Sequence, residues 1–296
     1  MRKKLAVTVG VVVVSLLFVP MTSKAEIPNY RGVIDAGQLV VFNSFKNEES
    51  QGDKISGKLY RQNGKGPFPA IVALHGAGGI FPYQLWWARH LRDQGYVVLV
   101  VDSYCKRDFL CEHASDDTDP SRGEVMRSWQ DVPIPQRVSD ALGAFKYLLA
   151  QSYVDKNNLG LLGWSWGGSS ALFALTFKER FKFFVNLKGA VAFYPNFKYM
   201  KESRRWPGYR IDEPVLIFYG KSDVLESPES YRDVVESGKP VNVIGYEGAV
   251  KKFDEVGESR TKYHPAVGEF EKSFKEEAFD DSKRRMDNFF RTVFGK

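Results

Sequence analysis

Histidine is scarce in this sequence: His75, His90, His113 and His264 are the whole supply. Cysteine is scarcer still, with Cys105 and Cys111 alone. No cluster of His, Cys and Asp has the spacing of metal ligands, so no metal is expected and no organic cofactor is implied. No G-x-G-x-x-G register is present, which excludes the common dinucleotide fingerprint. The chain also lacks internal repeats, low-complexity tracts and a Pro-rich linker, which argues for one domain. An excess of either charge is missing as well. The formal net charge is +6, but Arg2, Lys3, Lys4 and Lys24 contribute four of those charges within the first 25 residues, where no acid occurs, leaving +2. Nothing at that level calls for nucleic acid or an acidic membrane surface.

No apolar run reaches the ~20 residues of a membrane span. Leu5 to Val19 is largely apolar, follows Arg2-Lys3-Lys4 and is ended by Pro20. Ser23-Lys24-Ala25 then supplies the small residues that a signal peptidase cuts after. The reading is a signal peptide over residues 1–25 and a mature domain over 26–296, exported to the periplasm or the medium. An uncleaved membrane anchor is the alternative. In an oxidising compartment Cys105 and Cys111, close together in one segment, form a disulfide or stay as two free thiols.

What is present is core material: 43% of residues are hydrophobic and 26% charged, as in a globular domain. Leu39–Phe45 and Ser56–Arg61 read as an antiparallel pair. Ala70–Leu74, Tyr96–Val101, Leu159–Gly163, Ala190–Tyr194, Val215–Tyr219 and Val241–Tyr246 read as strands buried on both faces. Helical patterns occupy Tyr83–Asp93, Pro133–Gln151, Ser169–Phe177, Pro228–Glu236 and a closing segment from about Glu269 to Phe294. The alternation predicts an α/β fold with a mainly parallel sheet of eight strands flanked by helices on both faces. In such sheets the chemistry lies at the carboxyl ends of the strands.

Three segments carry that chemistry. L-G-L-L-G-W-S-W-G-G-S-S (Leu159–Ser170) is a strand running through G-x-S-x-G into a small-residue helix, which presents Ser165 as a nucleophile on a sharp turn. I-V-A-L-H-G-A-G-G (Ile71–Gly79) places glycines after a buried strand, where backbone N–H groups face a developing oxyanion; Ala77 and Trp166 are the expected donors. His75 reads as a brace for this loop. P-V-L-I-F-Y-G-K-S-D (Pro214–Asp223) ends in a turn whose Asp223 stands where the acid that orients a catalytic base belongs. The bland alternatives are a packing turn for Ser165 and a turn-stabilising role for Asp223.

Together these segments resemble the dienelactone hydrolase family of α/β-hydrolases, from about Gly37 to the C-terminus. The resemblance also includes D-S-Y-C-K-R-D-F-L-C (Asp102–Cys111) and A-V-A-F-Y-P (Ala190–Pro195). It implies hydrolysis of a small ester or lactone through an acyl-enzyme. Family members carry the catalytic histidine in a segment like Y-P-G-A-x-H-x-F-D. Here that segment is Y-E-G-A-V-K-K-F-D (Tyr246–Asp254), with Lys251 at the histidine's place. The dienelactone enzymes also use a Cys nucleophile and a Glu in the oxyanion loop, where this chain has Ser165 and Gly76.

The third catalytic member is therefore open. His264 keeps the chain order Ser, Asp, His. Lys251 would serve only as the neutral amine, which needs desolvation or neighbouring cations such as Lys252 or Arg260. His113 is a weaker candidate. A chain without any base would be a catalytically impaired hydrolase fold that binds a ligand or a protein in the cell envelope, with a pocket framed by Trp164, Trp166 and the 104–132 loop.

Overall fold

The computed structural model describes residues 37–46, 51–105, 107, 132–176, 186–196, 211–224, 231, 241–256, 260–264 and 268–296. The signal peptide expected over residues 1–25, His113, Cys111 and the helix expected at Pro228–Glu236 lie outside the described residues, apart from Tyr231. In chain order the elements are β1 (Gln38–Phe45), β2 (Gln51–Tyr60), β3 (Phe68–Leu74), α1 (Pro82–Asp93), β4 (Val97–Asp102), α2 (Ile134–Leu149) and β5 (Val154–Trp164). They continue with α3 (Trp166–Thr176), β6 (Leu187–Phe193), β7 (Val215–Gly220), β8 (Val241–Tyr246), β9 (Arg260–His264), β10 (Gly268–Lys272) and α4 (Glu276–Val293).

Eight strands form one sheet in the order β1-β2-β4-β3-β5-β6-β7-β8. β1 and β2 are antiparallel, as is the β2–β4 pair, and every pairing from β4 to β8 is parallel. This is the mainly parallel sheet expected from the alternation of elements, in the α/β-hydrolase arrangement that the family resemblance implies. The central strands are continuous apolar runs because each of their faces meets a helical layer. On β3, Ala70, Val72 and Leu74 join the core under α2 and α3, while Ile71 and Ala73 join the core under α1 and α4. Burying one large apolar side chain is worth roughly 1.5–3 kcal/mol, and both layers are filled with them.

The closing helix departs from expectation. It begins at Glu276, and the segment before it forms a two-stranded hairpin, with Glu269 opposite Tyr263 and Gly268 opposite His264. The run E-F-E-K-S-F-K-E-E favours helix locally, but strand pairing overrides propensity in its first half. Along α4 the buried positions are Ala278, Phe279, Ser282, Met286 and Phe290, one stripe at helical spacing. Phe274 lies just before the helix, and Phe289 and Val293 are partly buried beside that stripe.

Candidate active site

Parallel pairing brings the carboxyl ends of β3, β5, β6, β7 and β8 to one edge: Leu74 lies beside Gly163, Trp164 beside Phe193, and Gly220 beside Tyr246. Ser165 occupies the single residue between β5 and α3. Its φ is +52°, a left-handed conformation that costs a non-glycine residue about 1–2 kcal/mol. Two hydrogen bonds hold it there. The Ser165 N–H donates to the Phe193 carbonyl at 2.9 Å, and the Ser165 carbonyl accepts from Ser169 N–H at 2.9 Å. The turn is tight enough to require both flanking glycines. A Cβ on Gly163 would overlap the Gly167 carbonyl, and one on Gly167 would overlap the Leu74 carbonyl oxygen.

The loop after β3 runs directly alongside. A Cβ on Gly76 would sit 3.6 Å from the Ser165 Cβ. Every carbonyl of His75-Gly76-Ala77 is turned into the scaffold. The buried Arg137 of α2 donates through Nη2 to the His75 carbonyl and through Nη1 to the Tyr104 hydroxyl (3.2 Å). That hydroxyl in turn donates to the Ala77 carbonyl at 3.0 Å. Ser103 N–H donates to His75 Nε2 at 3.2 Å, so the ring proton is on Nδ1, which donates to the Gly76 carbonyl at 2.6 Å. In a trans peptide the N–H points opposite to the preceding carbonyl, so fixing the Gly76 carbonyl also fixes the direction of the Ala77 N–H. His75 is fully buried and braces this loop. Burial lowers the Arg137 pKa, against the opposing pull of Tyr104 and Asp140.

Asp223 lies three residues beyond the end of β7 and is buried. Its turn is laced to the turn after β8: Lys221 N–H donates to the Tyr246 carbonyl (3.0 Å) and Ser222 N–H to the Ala249 carbonyl (3.0 Å). Lys251, also buried, is on that second turn. The neighbouring Lys252 is committed elsewhere. Its ammonium pairs with Glu255 at 3.0 Å and lies over the Phe81 ring at 4.2 Å. His264 ends β9, in a hairpin separate from the eight-stranded sheet. His90 bonds Asp287 at 2.8 Å and stacks on Trp86, tying α1 to α4.

Trp164 does not frame a pocket. It is fully buried on the α1–α4 side of the sheet, and its indole N–H donates to Asp254 at 2.9 Å. Trp166 opens α3 and packs into the other core layer. Cys105 is disulfide-bonded. Among the described residues no group of His, Cys, Asp or Glu is placed to hold a metal ion. Arg137, Tyr104 and Asp254 were not singled out from sequence. The only hint is positional: Arg137 stands beside the apolar stripe Val138, Ala141, Leu142, and Asp254 follows a buried aromatic.

Solved structures share this fold. A Klebsiella pneumoniae protein assigned as a dienelactone hydrolase is 18% identical, with a TM-score of 0.61 over 86% of this chain and 99% of its own. A dienelactone hydrolase-like promiscuous phosphotriesterase from metagenomic libraries is 19% identical, with a TM-score of 0.61 over 87% and 100%. Thermogutta terrifontis esterase 2, in a form phosphorylated by paraoxon, is 17% identical, with a TM-score of 0.57 over 86% and 94%. A search among curated protein sequences found no match. The sequence profile of the dienelactone hydrolase family, by contrast, matches residues 55–294, from within β2 to the end of α4. On that match, which spans most of the chain, the protein belongs to the dienelactone hydrolase family, and the family supports a hydrolase function.

Proposed function

We propose that the protein cleaves a small carboxylic ester or lactone through an acyl-enzyme on Ser165. The observation that carries this reading is the left-handed backbone of Ser165 between β5 and α3, with the Gly76 loop alongside. In this reading the Ala77 and Trp166 N–H groups bind the oxyanion, and Asp223 orients the base. Lys251 is favoured over His264 as that base. Its turn is hydrogen-bonded to the turn of Asp223, whereas His264 belongs to a separate hairpin. No metal or organic cofactor enters the reaction. The partner is the small-molecule substrate alone, without nucleic acid.

Export is part of the proposal. It rests on the leader's basic start, apolar run and small-residue cut site, and the disulfide at Cys105 accords with an oxidising compartment.

Incubation of the mature protein with a fluorophosphonate probe, followed by intact mass between about pH 6 and 9, tests the reading. Single labelling that disappears in Ser165→Ala is expected. A rate that climbs into the alkaline range identifies an amine base, and one levelling near the ~6.5 of imidazole identifies histidine. Replacing Lys251 with His should then raise the rate near neutral pH. Absence of labelling at any pH would sink the hydrolase reading and leave a ligand-binding hydrolase fold, which has Lys251 in place of the usual histidine in its favour.

A further inference from the structure

Asp254 is fully buried, and three donors converge on it from three elements. Trp164 at the end of β5 donates to Oδ2 at 2.9 Å, and Trp87 of α1 donates to the same oxygen at 3.1 Å. Tyr194, just past β6, donates its hydroxyl to Oδ1 at 2.7 Å. Two of those donors flank the nucleophile's turn. Trp164 immediately precedes Ser165, and Tyr194 immediately follows Phe193, whose carbonyl holds the Ser165 N–H. Tyr194 itself has φ +37°, so its backbone is also held in the left-handed region. Asp254 in turn lies three residues after Lys251 on the same turn. The adjacent Phe253 packs against Phe193, Tyr194 and Tyr246, and its carbonyl accepts from Lys275 N–H at 3.0 Å.

A hydrophobic side chain at 254 would fill this space, take the acceptor from two indole N–H groups and leave the Tyr194 hydroxyl with Tyr83 alone. A carboxylate, which only accepts, matches three convergent donors. Buried carboxylates are a costly way to gain stability, but they fix geometry through directed bonds. We propose that Asp254 is a positioning residue for the hydrolytic site, fixing the turn that carries Lys251 in register with the strand ends that shape the Ser165 elbow. The proposal rests on Ser165 being the nucleophile and Lys251 its base. It adds the group that sets the distance between them.

The test compares the second-order fluorophosphonate labelling rate and backbone hydrogen exchange in wild type, Asp254→Asn and Phe290→Leu. Asn fits the site: its oxygen accepts from the indoles and its amide donates to the Tyr194 oxygen. Phe290→Leu is a core control on α4, distant in role from the elbow. Asp254→Asn is expected to keep a cooperative melt at pH 7 yet label at least tenfold more slowly, since misplacement by about 1 Å costs on the order of a hundredfold. Phe290→Leu is expected to melt earlier and label within twofold of wild type. A loss below tenfold in Asp254→Asn, or an equal loss in Phe290→Leu, overturns the proposal. Should Asp254→Asn not fold, Tyr194→Phe replaces it, with at least threefold slower labelling expected and anything less overturning the idea. Should wild type not label at all, the serine-hydrolase reading fails separately. Exchange then decides: faster exchange at both 164–168 and 248–256 in the variant sustains the coupling, and unchanged exchange at either segment removes it.

Discussion

Ser165 and Asp254 are both costly to hold in the fold, the first for its left-handed backbone and the second for the burial of its carboxylate. The elbow around Ser165 has no spare volume on the Gly167 side, where an added methyl group meets the Leu74 carbonyl oxygen. Gly167→Ala should therefore lower stability by about 1–3 kcal/mol, as overpacking does, and abolish probe labelling; urea unfolding and intact mass report the two effects. For Asp254, burial raises the pKa from 3.8 to about 6, with Glu255 adding to the rise and the Tyr194, Trp164 and Trp87 hydrogen bonds opposing it. Between those two values the folded protein holds a proton that the unfolded chain has lost. Stability from this group is thus present at the acid end and declines as pH rises through that window, by about 3 kcal/mol in all. Asp140 is raised in the same direction by burial, against Arg107, so the clean readout is a difference. Wild type should lose melting temperature relative to Asp254→Asn between pH 4.5 and 7, roughly in step with the ~6 midpoint. A parallel pH dependence in the two proteins would refute this assignment.

Helix α2 shows how far an element's pattern can be read. Val138, Ala141, Leu142 and Leu148 are buried, in line with their helical spacing. Arg137 is buried as deeply, its guanidinium donating to the His75 carbonyl and the Tyr104 hydroxyl beside the loop after β3. Periodicity reports apolar surface and is silent about a cation that buries itself by hydrogen bonding. Arg137→Lys keeps the charge but not the planar fork, and should slow labelling at least tenfold while costing about 1–2 kcal/mol of stability. Chemical denaturation alongside labelling rates checks both numbers. Strands β3, β4 and β7 were legible because each is a nearly continuous apolar run between turn residues. The hairpin over β9 and β10 was not, since its Lys- and Glu-rich sequence favours helix as readily as strand. The elbow was legible for a steric reason, as a Cβ on Gly163 or Gly167 would meet backbone, and the loop after β3 for a conformational one, as Gly79 has φ +87°. The Asp254 hub depends on residues 87, 164, 194 and 254 meeting in space, which no local pattern encodes.

At the scale of the molecule, two helical layers cover the eight-stranded sheet, and the carboxyl ends of its six parallel strands meet along one edge. The proposed nucleophile and its first donor loop sit on neighbouring strands, β5 and β3, that are far apart along the chain. Between them in sequence come α1, β4 and α2. Closing so long a loop is an entropic cost that must be met before the β3–β5 hydrogen bonds return anything, and topologies of this kind fold slowly. Helices α1 and α2, with their local bonds, need not wait. During refolding from denaturant, recovery of helical ellipticity should therefore run ahead of recovery of probe labelling, and coincidence of the two would mean that the chain assembles in one step. The same adjacency that makes the site compact in space makes it one of the last things the chain completes in time.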